Sequence, residues 1–253
     1  MRHIVLSITL CLLSTGCGDA SNSTARLGVD AEDAKALDAA AAGADEVVVV
    51  GAAQHRFEAG RAAAEADALM QIAVAAGAEA ISLIPRNDNV AASRAESRAV
   101  TEVALRELLP MLKAHGLKAM VEPLGFEVCS LRYKDVLAEV IDAVGGRGTY
   151  FMVHDTFHHA LAGGGPIYPE LTGIVHVSGV KDTIYVNDMR DPHRVLVDAD
   201  DLLGNVAQIR ALRAAGYTGA ISYEPFAASV HDLTDPKSAL AASMEFIRSG
   251  VAA

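Results

Sequence analysis

From about residue 30 onward the chain alternates between two hydrophobic patterns. Alanine-rich stretches with apolar residues at helical spacing end at a glycine, and a short run of consecutive apolar residues follows. The pattern predicts helix over 33–42 ahead of Gly43 and strand over 46–50, then helix over 61–76 ahead of Gly77 and strand over 80–84. It continues with helix over 98–115 ahead of Gly116 and strand over 118–122, and helix over 134–144 ahead of Gly145 and Gly146 and strand over 149–153. A strand over 173–177 follows a looser connection, then helix over 202–215, Gly216, strand over 220–224 and a closing helix over about 238–249. Glycine suits the helix ends because it adopts the left-handed cap without steric cost. The strands are near-continuous apolar runs, as expected where helices cover both faces of a parallel sheet. Repeated helix–strand units imply a parallel α/β architecture, either an open doubly wound sheet or a closed barrel. The glycine-rich phosphate fingerprints of open sheets are missing, and Gly163-Gly164-Gly165 has neither spacing, so it reads as a flexible loop.

The length of 253 residues fits one barrel domain, which normally uses about 250. Charge is acidic, with 21 Lys+Arg against 32 Asp+Glu. That argues against a general nucleic-acid binder, which needs a basic face for phosphates. The cysteines are Cys11, Cys17 and Cys129, with no C-x-x-C pair, so neither a disulfide framework nor a cysteine-rich zinc site is expected. Residues 1–25 stand apart from residues 26–253, which hold the barrel domain. The apolar run 4–13 is too short to cross a membrane, which takes about 20 residues. It reads as a buried strand opening the fold or, with Arg2 before it and Cys17 after it, as a secretory or lipoprotein signal. The first reading goes with a cytoplasmic protein, the second with an exported or lipid-anchored one.

Four strands end in residues that ligate metals or carry protons: Glu122, Asp155, His176 and Glu224. Each follows an apolar strand core, where an unpaired carboxylate is costly to bury. In a barrel these ends converge on the face that holds active sites. The mostly oxygen donor set suits one hard or borderline divalent ion, Mn, Mg or Co, with Zn an option. Three carboxylates without a cation would repel one another, and some would have to hold protons. His154 points away from Asp155 on an alternating strand and reads as structural. His55, His115, His159 and His231 read as surface or loop residues. Arg86, after the strand ending at Ile84, is a candidate polar contributor at the same mouth.

In combination, Glu122-Pro123-Leu124-Gly125, Asp155-Thr156-Phe157-His158, Val175-His176 and Tyr223-Glu224-Pro225-Phe226 resemble the xylose-isomerase-like β/α-barrel superfamily of sugar isomerases and epimerases. Within it the motifs are similar to inosose isomerase and its hydroxypyruvate-isomerase-like and ketose-epimerase relatives. The resemblance covers about residues 30–250 and implies a (β/α)8 TIM barrel. It further implies a divalent metal held by Glu122, Asp155, His176 and Glu224, with Glu122 and Glu224 as proton carriers on opposite sides of a sugar or polyol substrate. His158 and Arg194, in Asp191-Pro192-His193-Arg194, would contact substrate oxygens; Arg86, read from its place after a strand and not from the resemblance, is a further candidate substrate contact, with a solvated loop as the alternative. The chain departs from the family at its start, where residues 1–25 are too short for the first βαβ unit. An incomplete or irregular barrel is expected there. Barrels of this type often pair, which leaves a homodimer as one option. Dehydration of an inosose-like polyol and a non-catalytic sugar-binding barrel are the competing functions. A metal-dependent abasic-site endonuclease fits poorly, because it needs more His and Asp ligands and a less acidic surface.

Overall fold

The computed structural model describes residues 3–10, 46–53, 61–87 and 90–252. Among the described residues, seven strands form one parallel sheet: β1 (His3–Leu10), β2 (Glu46–Ala53), β3 (Ala80–Leu83), β4 (Lys118–Val121), β5 (Tyr150–Asp155), β6 (Thr172–Val177) and β7 (Ile221–Tyr223). Their spatial order is β2-β1-β3-β4-β5-β6-β7. The five strands from β3 to β7 thus follow chain order, as in a β/α barrel, whereas β1 inserts between β2 and β3. The architecture is a TIM barrel that is incomplete among the described residues and irregular at its N-terminal end. Residues 3–10 pair in register with β2 along their length and with β3 at Val5 and Leu6, so this run is a strand. The helix predicted over 33–42 and His55 lie outside the described residues.

The helices are α1 (Arg61–Ala75), α2 (Arg94–His115), α3 (Lys134–Ala143), α4 (Thr156–Leu161), α5 (Asn205–Ala214), α6 (Ala228–His231) and α7 (Pro236–Ala252). The glycines predicted to end helices at 77, 116, 145 and 216 all have left-handed φ, between 65° and 96°. Helix α2 starts one turn earlier than its apolar periodicity suggests. Ser93 caps it: its Oγ accepts from Glu96 N, while Glu96 reaches back to Ser93 N, the reciprocal pairing of a capping box. Helix α5 starts later than predicted, after Gly204 in the left-handed region at φ 70°. Helix α4 was not apparent from periodicity. Asp155 ends β5 and at once caps α4, accepting from His158 N at 2.9 Å.

One apolar core packs α1, α2 and α3 on β3–β5, around Met70, Leu83, Leu105, Leu112, Leu137 and Met152. A second, around Val175, Val177, Ile209, Leu212 and Ile247, packs α5 and α7 on β6. A smaller cluster of Phe157, Leu161, Val180 and Met189 lies under the segment that follows β6. Among the described residues, no helix is long and apolar enough to cross a membrane.

Candidate metal centre

Parallel pairing decides where the strand-end residues meet. Asp155 on β5 is the register partner of His176 on β6. Glu224 follows β7 directly and extends its ladder, its N–H donating to Val177 O at 3.0 Å. Glu122 follows β4 in the same way, with its N–H on Leu83 O at 3.0 Å. Four adjacent strands therefore deliver one donor each to the same end of the sheet. Their ligand atoms all lie within 4.8 Å of one another. Glu122, Asp155 and His176 are buried or nearly so, and the Glu224 side chain is 27% exposed.

The spacing is longer than that of ordinary hydrogen bonds and compatible with metal ligands. His176 Nδ1 stands 3.5 Å from both Glu122 Oε1 and Glu224 Oε2. Two donors bound about 2.1 Å from a tetrahedral ion lie roughly 3.4 Å apart. Glu122 Oε1 and His176 Nδ1 are buried without a hydrogen-bond partner, which is rare for polar atoms unless something else satisfies them. A divalent cation fits this donor set.

Arg194 supplies positive charge beside the cluster. The antiparallel bridge between Gly179 and Val195 brings it under the sheet end, next to Ser178. Its Nη2 donates to Asp155 Oδ2 at 2.6 Å and to Glu224 Oε2 at 2.7 Å, and its Nε to Ser178 Oγ at 2.9 Å. The guanidinium carbon sits 4.8 Å from the Phe157 ring centroid and 4.9 Å from that of Phe226. Aromatic faces on both sides favour the cation and exclude water from it.

Electrostatics follow from this packing. Burial, then the charge of Glu122, pushes the Glu224 carboxyl up to about 7. Burial would raise Asp155 as well, but Arg194, followed by His158, outweighs it and holds the carboxyl well below its usual range. Burial lowers His176, yet the facing carboxylates of Glu122 and Glu224 prevail and lift the imidazole well above its usual value. The raised Glu224 carboxyl lacks charge compensation that a divalent ion would supply, and such an ion would take the place of the proton on His176.

His158 joins the centre through its backbone bond to Asp155. Its side chain is 4% exposed, and its buried Nδ1 has no partner. Arg86 is buried one strand away, after β3, with its carbonyl accepting from Ser130 N at 2.8 Å. His154 faces away from the cluster, fully buried between Lys134 and Gln208. His159 was expected on a loop or the surface. It lies instead in α4 with Nδ1 3.2 Å from Lys134 Nζ, because the helix begins at Thr156. His115 ends α2, with Nε2 2.7 Å from Asp67 Oδ1, and His231 lies near Pro225 O on α6. Sequence reasoning missed Lys134, Ser178 and Gln208. Each acts through a partner at least 16 residues away in the chain, and no local pattern marks such pairs.

The family model of the xylose isomerase-like TIM barrel matches residues 15–250. This chain belongs to that family. Among solved structures, a xylose isomerase domain-containing protein from Salmonella typhimurium LT2 is 28% identical, with a TM-score of 0.65 over 77% of this chain and 70% of that one. The IolI protein with a bound zinc atom is 20% identical, with a TM-score of 0.68 over 78% of this chain and 72% of that one. D-Psicose 3-epimerase from Clostridium cellulolyticum H10, solved with D-tagatose, is 14% identical, with a TM-score of 0.60 over 82% of this chain and 79% of that one. No curated protein matches the chain. The family barrel accounts for the chain-order run from β3 to β7 and for the convergence of the four donors at one end of it.

Proposed function

We propose that this protein is a divalent-metal-dependent isomerase or epimerase that moves a proton next to the carbonyl of a small sugar or polyol, of inosose, ketose or hydroxypyruvate type. The observation that carries the reading is the meeting of Glu122, Asp155, His176 and Glu224 at the ends of four adjacent strands. The zinc in the IolI structure and the epimerase neighbours support it by analogy. The donor set suits Mn, Mg, Co or Zn, and such an ion supplies Lewis acidity that lowers the cost of negative charge on the substrate oxygens.

The chain's own groups do the rest. Glu122 removes the carbon-bound proton, and the electron pair delocalises into the carbonyl as an enediolate. Glu224 returns a proton, at the neighbouring carbon for an isomerase or at the opposite face for an epimerase. Burial keeps the imidazole of His158 below its usual value, against the pull of Asp155 and Glu122. Its unpartnered Nδ1 is thus suited to hold a substrate hydroxyl. Arg194 opposes charge developing beside Asp155 and Glu224, and Arg86 contributes at the neighbouring loop.

The test is solvent exchange. Metal-loaded protein is incubated with a panel of ketoses, inososes and hydroxypyruvate in deuterated water. Label is expected at the carbon next to the carbonyl. Glu224→Gln should cut turnover by about a thousandfold or more while keeping the melting curve cooperative. Turnover retained in that variant would remove Glu224 from proton transfer. Loss of water without exchange back to ketose would replace isomerisation with dehydration.

A further inference from the structure

A pocket of about 250 Å³ lies between the start of α3 and helix α4 with the turn that follows it. It is smaller than the ~300–1,000 Å³ typical of drug-sized ligand sites. Arg94, Arg132, Lys134, Asp135, His159 and the turn 163–165 line it. In a chain of formal net charge -11, three basic side chains line it with one carboxylate, and outside the lining Glu127 Oε1 stands 3.8 Å from Arg132 Nη1. The lining carboxylate, Asp135, is already ion-paired with Arg94.

The cations retain unused donors. Arg132 Nη2 donates to Leu161 O at 2.8 Å, but its buried Nε has no acceptor. Lys134 is nine-tenths buried, and its Nζ contacts two imidazoles, His154 Nδ1 at 2.7 Å and His159 Nδ1 at 3.2 Å. The tautomer of His154 is fixed by its far side. Gln208 Nε2 donates to Thr156 O and Leu203 O, so Gln208 Oε1 is the acceptor facing His154 Nε2 at 3.0 Å. His154 Nε2 therefore carries the proton, Nδ1 is bare, and Lys134 donates to it. An ammonium has three N–H groups. With two directed at imidazoles, the third has no protein acceptor among the described residues. Neither close partner is an anion, and burial holds the amine down to about 7 despite the opposing pull of Asp155 and Glu122.

The glycine run completes the enclosure. Gly163, Gly164 and Gly165 all take left-handed φ, at 88°, 76° and 106°. Backbone strain, not space, reserves these positions for glycine: a Cβ at Gly163 or Gly165 would meet nothing within 4 Å. The turn thus borders the pocket with bare backbone opposite the cations.

We propose that this pocket binds a small oxyanion, the phosphate type of group, through Arg132, Lys134 and Arg94. His158 lines this pocket and also flanks the carboxylate-rich centre, but the inference does not rest on the proposed isomerase activity. The group is either a free anion or the phosphate of a larger ligand. Calorimetric titration of the full chain, stripped of metal by a chelator, with inorganic phosphate and with sulfate at constant ionic strength tests it. Saturable binding of one anion per chain is expected, weakened roughly tenfold by Arg132→Gln and several-fold by Arg94→Gln, since each removes a charge-assisted bond. The Arg94 side chain is 51% exposed, so that variant keeps the test valid if Arg132→Gln fails to fold. Titration with a ketose and its phosphate ester then identifies the source. An ester that binds more tightly than inorganic phosphate supports a larger ligand, and equal affinity supports a free anion. Absence of saturable binding, or affinity unchanged in both variants, overturns the site and leaves the metal centre untouched.

Discussion

In metal-free protein, Arg194→Met strips Asp155 and Glu224 of their shared guanidinium. Both Arg194 and Asp155 are only 1% exposed, so the broken pair lies in a dry environment. Removing one partner of a buried ion pair costs about 3–5 kcal/mol, because the other charge stays buried without compensation. Glu224 softens the loss on its side, since it is 27% exposed and already held up at about 7, where it takes a proton readily. Asp155 has no such escape: Arg194 holds its carboxyl low, and its other oxygen is committed to His158 N at 2.9 Å. Met keeps apolar bulk between Phe157 and Phe226, so the effect is electrostatic and not that of a cavity. For a chain of this length 1 kcal/mol shifts the melting temperature by about 2–4 °C, giving a drop of roughly 6–20 °C. Thermal denaturation followed by circular dichroism, first in chelator and then with excess Mn, reads it. The ion should recover more than half of the loss, because it restores positive charge beside the same carboxylates. A variant that melts within about 2 °C of the parent in chelator refutes the argument for the ion pair. A gap that metal does not narrow refutes the placement of a cation among these four donors.

In metal-free protein the contribution of Glu224 should fall as pH rises from about 4.5 to about 7, so the parent loses stability relative to Glu224→Gln across that window, while the buried imidazoles of His154, His158 and His159, all held below the usual value, pull the total the other way. Glu224 binds its proton more tightly folded than unfolded across that window, and the raised His176 adds to the decline above its unfolded value near 6.5. Asp155, shifted the other way, withdraws its contribution as pH falls below about 3.8; melting curves of the parent and of Glu224→Gln in chelator check the first, and the acid limb of the parent's profile checks the second. Ser93→Ala removes the bond that Ser93 Oγ accepts from Glu96 N, leaving the backbone N–H of residue 93 to donate to Glu96, and should cost about 1 kcal/mol in urea denaturation. Gly125→Ala would place a Cβ 2.6 Å from Leu161 Cβ; forcing α4 aside should cost about 1–3 kcal/mol and, because α4 starts at Asp155, weaken metal binding measured by calorimetry.

Much of the fold is legible in the chain because its signals are local. Four cap glycines and continuous apolar strands place the helix–strand units to within a few residues. The departures have local causes as well. The Ser93–Glu96 box extends α2 by a turn, and Asp155 stops a strand and starts a helix in one residue. The candidate ligands could be picked out for a related reason: carboxylates and an imidazole directly after apolar strand cores stand out against their surroundings. The order β2-β1-β3 left no comparable trace, since pairing of parallel strands depends on contacts far apart in sequence.

The sequence by itself determined a parallel α/β chain with four metal-type donors at strand ends. Periodicity, capping and burial of apolar runs act within one element and its nearest turn. The tertiary structure alone decided that Asp155 and His176 become register partners and that Arg194, 39 residues from Asp155, bridges two carboxylates between aromatic rings. It also decided that Lys134 rests on imidazoles with a donor to spare. Those outcomes depend on which charges share a water-free volume, and the pairing of strands distant in sequence, not any short stretch of chain, creates that volume.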